Sequence, residues 1–337
     1  MMKKVVIMDL SAIMIAGIKG NKSRLWNTGG FPTGGLYNIF GKLVPEIKAG
    51  SIVYITADYP PYYKKSIYPD FKGERPETTE LDRDIFRLQK TVIKHYADRI
   101  GYKYIELKGY EADDIMYALA ALYGNDPEYK VEIISADKDI HSARLYGDNI
   151  SIISNTNKYK VDGDPSQVWT KFLNGGKDNI PSLARILNPY SFQTLQELVY
   201  KGYNQYNNVY ALMEQGFDLE ESELIKQVYT LSMPLSVSPE LIGGKINAIE
   251  YDIQLLVDVL TSFGLNKHLK TLGKTYQDSN NKSVMRIQDE MYGRLTDNVI
   301  DYFVSKDSVF TNFVFETDEA SDIKVKELIN KLKQRGR

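Results

Sequence analysis

An α/β fold, with a mainly parallel central sheet flanked by helices, is what this sequence predicts, and three observations predict it. Short apolar runs alternate with longer helical patterns through the first half of the chain. Acidic residues fall directly after those runs, and strand patterns give way to helical ones beyond about Pro165. Alternation of this kind marks βαβ units, whose strands run parallel.

The runs are Lys4 to Met8, Ile52 to Thr56, Tyr104 to Leu107, Val131 to Ile134 and Ile150 to Ser154. Between the second and third, Thr79 to Ile100 carries Leu81, Ile85, Leu88, Val92 and Tyr96 at three- and four-residue spacing, the apolar face of an amphipathic helix. Ile115, Ala118, Leu119 and Leu122 mark another, closed by Gly124 and Asn125. Later helical patterns cover Phe192 to Tyr200, Ser222 to Leu231, Ile246 to Phe263, Leu295 to Phe303 and Lys324 to Lys333. Gln277 to Ser283 is polar without a period and reads as an exposed linker. The expected organisation is an α/β domain over 1–165 with an arm at 60–100, an α-rich region over 166–275, and a linker with a C-terminal helical segment over 276–337.

Composition narrows the chemistry. With 337 residues and 43% hydrophobic content the chain can bury a core unaided. It has no cysteine, so disulfides, thiolate metal sites and cysteine nucleophiles are excluded together. His95, His141 and His268 are the only imidazoles. Net charge is −2, so any grip on a polyanion must come from a local basic patch. The start, MMKKVVIMDLSAIMIAG, has lysines before an apolar run, but Asp9 interrupts it and no A-x-A-like site follows. No stretch approaches the ~20 apolar residues of a membrane span. A cytoplasmic protein without a membrane partner is expected.

The acids are the informative feature. Asp9 follows VVIM, Asp58 follows IVYITA, Asp137 and Asp139 follow VEII, and Glu111, Asp113 and Asp114 open the helix after the third run. In an open parallel sheet the carboxyl ends of the strands share one edge, where ligands bind. Each acid alone has an ordinary explanation as a cap, a first-turn acid or a turn former. Together at corresponding strand ends they need a counter-charge, because packed carboxylates raise one another's pKa. A hard divalent cation supplies it. Magnesium, or manganese in its place, takes oxygen ligands, and two such ions about 3.5–4 Å apart serve in-line attack on phosphodiesters. Without cysteine or clustered histidine, zinc fits less well. TGGFPTGG at Thr28 to Gly35 lacks the Gly-Lys-Ser/Thr ending of a P-loop and reads as a turn before a helix over Leu36 to Ile47.

Local positive charge appears after Asp58. Lys64, Lys65, Lys72 and Arg75 lie among Tyr62, Tyr63, Tyr68 and Phe71, cations for phosphates beside aromatic faces for unstacked bases. Glu74, Glu77 and Glu80 also suit an ordinary solvated loop.

Taken in order, D-L-S-A from Asp9, then Asp58, Y-P-D-F-K-G-E-R from Tyr68, G-Y-E-A-D-D from Gly109, S-A-D-K-D from Ser135 and K-D-N-I-P from Lys177 resemble the 5′-nuclease family over about residues 3 to 190. Flap endonucleases, the 5′-nuclease domain of bacterial DNA polymerase I and bacteriophage exonucleases and RNase H belong to it. The resemblance implies that Asp9, Asp58 and Asp113 hold one metal ion, with Glu111 positioning its water. Asp137 and Asp139 would hold a second, with Asp113 and Asp114 near both. It implies that Lys72 and Arg75 reach the scissile phosphate from the base of a helical arch, and that Phe71 stacks on a base.

Two departures stand out. Where the family carries G-D-x-x-D-N-I-P, this chain reads N-G-G-K-D-N-I-P, so Gly175 stands where the first aspartate belongs. In an alternative register Asp178 takes over that duty. The glycine-rich helix-hairpin-helix of many members is not recognisable in SLARILNPYSFQTL. Both departures resemble the phage-type RNase H branch. The implied function is hydrolysis near the 5′ ends of DNA, flaps or RNA–DNA hybrids in replication or repair. The chain is then expected to be a monomer in the cytoplasm, or the host cytoplasm for a phage, with replication proteins such as a single-strand-binding protein as partners. A non-catalytic nucleic-acid-binding protein on the same fold and a PIN-type single-strand RNase are the rival readings.

Overall fold

The computed structural model describes residues 2–20, 33–60, 62–73, 80–154, 163–176, 178–202 and 217–277. Arg75, Lys177, most of the glycine run, the linker beyond Gln277 and the helical patterns at 295–303 and 324–333 lie outside them.

The strands are β1 (Lys3–Asp9), β2 (Ile52–Ala57), β3 (Lys103–Glu106), β4 (Tyr129–Ser135) and β5 (Ile150–Ser154). They form a mostly parallel sheet in the order β3-β2-β1-β4-β5 among the described residues. β2 is buried at every position, the pattern of an apolar strand covered on both faces. β1 and β4 pair in parallel with Met8 opposite Ile134, and β4 and β5 pair with Ser135 opposite Ser154. The strand ends are therefore level: Asp9 closes β1, and β4 stops two residues before Asp137. Thr56 Oγ1 donates to the Met8 carbonyl at 3.1 Å, which sets the end of β2 and Asp58 beside them. Strand order reverses between β1 and β4, and a reversal of this kind opens a crevice at the carboxyl edge.

Two compact units are interleaved along the chain. One is built from Met1–Asp9, Thr56–Glu77 and Ile105–Ile246. It holds α3 (Tyr63–Ile67), α5 (Ala112–Tyr123), a 3-10 helix (Asp139–Tyr146), α6 (Gln167–Asn174), α7 (Leu183–Ile186), α8 (Pro189–Gly202) and α9 (Leu219–Ser232). Its helical core packs Val168, Trp169, Phe172 and Leu173 of α6 against Leu195, Val199, Ile225 and Val228. Those α6 positions form one face at helical spacing, which leaves Lys171 on another.

The other unit comprises Leu10–Ile55, Thr78–Tyr104 and Asn247–Arg337. It holds α1 (Leu10–Gly20), α2 (Gly34–Ala49), α4 (Glu80–Ile100), α10 (Ile253–Ser262) and α11 (Asn266–Gln277). The apolar run that opens the sequence is thus strand followed by helix. Buried Gln89 in α4 accepts from the Leu36 amide at 2.8 Å, satisfying a donor of the first turn of α2. The helix expected over Ile246 to Phe263 begins only at Ile253, because Asp252 caps it through the Leu255 amide at 2.9 Å. No described helix is long and apolar enough to cross a membrane.

Candidate metal centre

The centre lies within the first unit and begins with the entry into α5. Glu111 has extended backbone (φ −86°, ψ 156°) and is the N-cap residue. The Asp114 Oδ2 accepts the Glu111 amide at 2.9 Å, and Asp58 Oδ1 accepts the Ala112 amide at 2.9 Å. These bonds satisfy donors that a helix start leaves open, and the helix dipole favours the negative charge placed there. Asp114 is fully buried, and its Oδ1 takes a further amide, from Leu235, at 2.7 Å.

On the β4 side, Asp137 Oδ1 accepts the Asp139 amide at 2.9 Å, and the Asp137 amide donates to Ser135 Oγ at 3.1 Å. Ser135 Oγ reaches Asp9 Oδ2 at 3.4 Å, linking the ends of β4 and β1. Glu111, Asp113, Asp114, Asp137, Asp139 and Asp178 all line a single cleft of about 420 Å³. Asp9 and Asp58 are not part of that lining but act on it. Burial first, then the charges of Asp137, Asp9 and Asp58, hold the Asp113 carboxyl well above the ordinary carboxylate range.

Three ammonium groups stand among these acids. Lys64 Nζ lies 3.0 Å from Glu111 Oε2 and 3.8 Å from Asp114 Oδ1. Burial lowers its pKa, against the pull of Asp114. Lys72 Nζ pairs with Glu111 Oε1 and sits over the Tyr62 ring, 4.9 Å from its centre. Lys171 Nζ lies 2.7 Å from Asp139 Oδ2 and 3.8 Å from Asp178 Oδ2. Burial works against its charge, yet Asp139, Asp178 and Asp137 together raise its pKa.

A tight turn brings Asp178 in. Gly176 and Ile180 form an antiparallel bridge, and the loop carrying Lys72 docks on the turn between them. The Lys72 amide donates to the Asp178 carbonyl at 3.0 Å and Asn179 Nδ2 donates to the Asp70 carbonyl at 3.1 Å. Lys72 and Asn179 both adopt left-handed backbone, φ 60° and 59°, strain that a protein tolerates where geometry matters.

Two residues of the basic arm are buried in this structure. Phe71, expected to stack on a base, is 1% exposed, packs in the helical core and borders the cleft. Lys64, expected to contact phosphates, is buried against Glu111 because that carboxylate needs a partner out of water. Lys65 is exposed, as a surface phosphate contact would be. Among the cleft residues that escaped the reading are Lys171, and Tyr117, whose hydroxyl donates to the Asp139 carbonyl at 2.6 Å. Lys171 is the sole cation of α6 and lies off its apolar face, which was the available signal.

The donor chemistry fits a hard divalent cation, since every candidate ligand is a carboxylate oxygen. As placed, no three acidic or imidazole side chains among the described residues stand close enough together to hold one ion.

Comparison with known proteins follows the same line. The family described as "5'-3' exonuclease, N-terminal resolvase-like domain" matches residues 4–173. A 5'-3' exonuclease of Aquifex aeolicus is 25% identical over 274 residues, 76% of this chain and 90% of that one. The thermostable DNA polymerase I of Thermus aquaticus is 30% identical over 145 residues, 42% of this chain but 16% of the polymerase. Among solved structures, the bacteriophage T5 D15 protein co-crystallised with metal ions has a TM-score of 0.46 at 17% identity, covering 69% of this chain and 90% of that one. Human GEN1 in complex with Holliday junction DNA has a TM-score of 0.46 at 15% identity, covering 82% and 73%. The assignment rests on the sequence match: the chain belongs to the 5′-nuclease family, through the 5'-3' exonuclease N-terminal resolvase-like domain at residues 4–173.

Proposed function

We propose that this nuclease-family chain hydrolyses phosphodiester bonds near the 5′ ends of DNA, flaps or RNA–DNA hybrids, with magnesium or manganese as cofactor, in replication or repair. One observation carries the reading: Asp113, Asp137, Asp139 and Asp178 line one cleft, where burial and then its acidic neighbours raise the Asp113 pKa. Asp9, Asp58 and Asp113 would hold the ion at the β1–β2 side, and Glu111 would orient water. A bound divalent ion would activate the attacking water and offset charge on the phosphate. Asp114, with both oxygens engaged by backbone amides, serves to fix the start of α5 and so aim Asp113. Lys72 would meet the phosphate and exposed Lys65 would add a contact, with Arg75, outside the described residues, assigned the same duty from the sequence.

Cleavage of 5′-labelled flap, nicked duplex and RNA–DNA hybrid should depend wholly on added magnesium. Full cleavage in excess EDTA would overturn the metal-dependent reading.

Lys72 gives a second test. Its ammonium is held against Glu111 by an ion pair and over an aromatic ring, so it is preorganised rather than recruited. Lys72→Ala should lower kcat on the order of 10²-fold, about 2.7 kcal/mol, with a smaller change in KM. Weaker binding at unchanged kcat would make it an ordinary backbone contact.

A further inference from the structure

The cleft has two ends that differ in counter-charge. At one end Asp113 stands in the cleft with Asp137, and the ammonium groups there, Lys64 and Lys72, pair with Glu111. At the other, Asp139 and Asp178 already share an ammonium group, 2.7 Å and 3.8 Å away on Lys171. We infer that Lys171 is a resident cation in place of a second metal ion, so that the nuclease works with one divalent ion and a lysine. The inference rests on the metal-dependent reading above and changes its stoichiometry.

Three features of the chain fit together around this lysine. The apolar face of α6 is pinned by Val168, Trp169, Phe172 and Leu173, which leaves residue 171 aimed at the acids. Gly175 ends the helix with φ 76°, and a Cβ there would stand 2.5 Å from the Ile180 carbonyl oxygen. An acidic ligand cannot be carried at 175 without moving backbone. Gly176 makes room for the lysine itself: a Cβ at 176 would meet the Lys171 stem at Cγ (3.3 Å), Cε (3.7 Å) and Cδ (3.9 Å). Gly175 thus excludes a carboxylate, while the Lys171 stem runs in van der Waals reach of Gly176. An ammonium paired with Asp139 and Asp178 opposes a divalent cation twice over, by charge repulsion and by using the oxygens that would coordinate it.

The test counts ions directly. Manganese binding to the full chain, read by electron paramagnetic resonance and by calorimetry, should give one ion for the wild type. Lys171→Met keeps the stem beside Gly176 but drops the charge, and should bind two. Lys171→Arg keeps the charge and should bind one. Two ions in the wild type, or one in Lys171→Met with its fold confirmed by circular dichroism, overturns the inference while leaving metal-dependent cleavage intact. No bound ion in the wild type, together with EDTA-resistant cleavage, sinks the metal-dependent reading and this inference with it.

Discussion

Asp113→Ala is expected to reduce cleavage on the order of 10³-fold, about 4 kcal/mol of transition-state stabilisation, while substrate affinity stays nearly unchanged. The side chain faces Asp9, Asp58 and Asp137 and lines the cleft. Residual activity above roughly a tenth of wild type, a loss under ~1.4 kcal/mol, would show that the metal-binding role lies elsewhere. The same substitution carries a stability signature of opposite sign. Folding raises the Asp113 pKa, so the folded state binds the proton more tightly than the unfolded chain does. That contribution is fully present below the ordinary carboxylate pKa and is lost as pH rises through the folded value. At neutral pH without divalent ions the fold therefore lacks stability that it has at acidic pH. Asp113→Ala should melt higher than wild type there, with the gap closing at acidic pH. A mutant less stable at neutral pH would show Asp113 to be a structural acid.

The parts of this architecture that were legible in the sequence are those set by local pattern. The five apolar runs became the five strands within two residues at each end, because continuous burial on both faces leaves a continuous apolar record. The α4 helix, expected from Thr79, begins at Glu80 because its period was strong over five turns. Glu111, Asp113, Asp114, Asp137 and Asp139 line one cleft, as parallel strands that put their carboxyl ends on one edge allow, while Asp9 and Asp58 stand outside its lining. Tertiary pairing was not. Nothing in Y-Y-K-K-S says that Lys64 turns inward to Glu111, or in Y-P-D-F-K that the Phe71 ring closes a core built by α6, α8 and α9. Those contacts join residues far apart in sequence, and an aromatic beside lysines reads equally as a stacking platform. Lys171 was hidden for the converse reason, since its neighbours show only an amphipathic helix and its partners come from elsewhere in the chain.

Gly175→Asp is the change the sequence alone recommends, since it would restore the family's missing carboxylate, and the structure gives it the opposite outcome. Residue 175 has φ 76° and ψ −176°, a backbone region open essentially to glycine alone that costs other residues roughly 1–3 kcal/mol. The added Cβ would also sit 2.5 Å from the Ile180 carbonyl oxygen, and that neighbour is backbone, unable to swing away as a flexible side chain would. Relief requires opening the bridge between Gly176 and Ile180. The turn that carries Asp178 then shifts, and with it the Lys72 amide bonded to the Asp178 carbonyl. Gly175→Asp should therefore lose about 2 kcal/mol or more of stability and cleave more slowly at every magnesium concentration. Gly175→Ala separates backbone strain from charge: it should reproduce most of the stability loss, because the Cβ and not the carboxylate creates the clash. A stable Gly175→Asp protein whose magnesium dependence moves to lower concentration would show instead that the turn can yield and that the acid completes a second metal site, with Lys171 displaced from it.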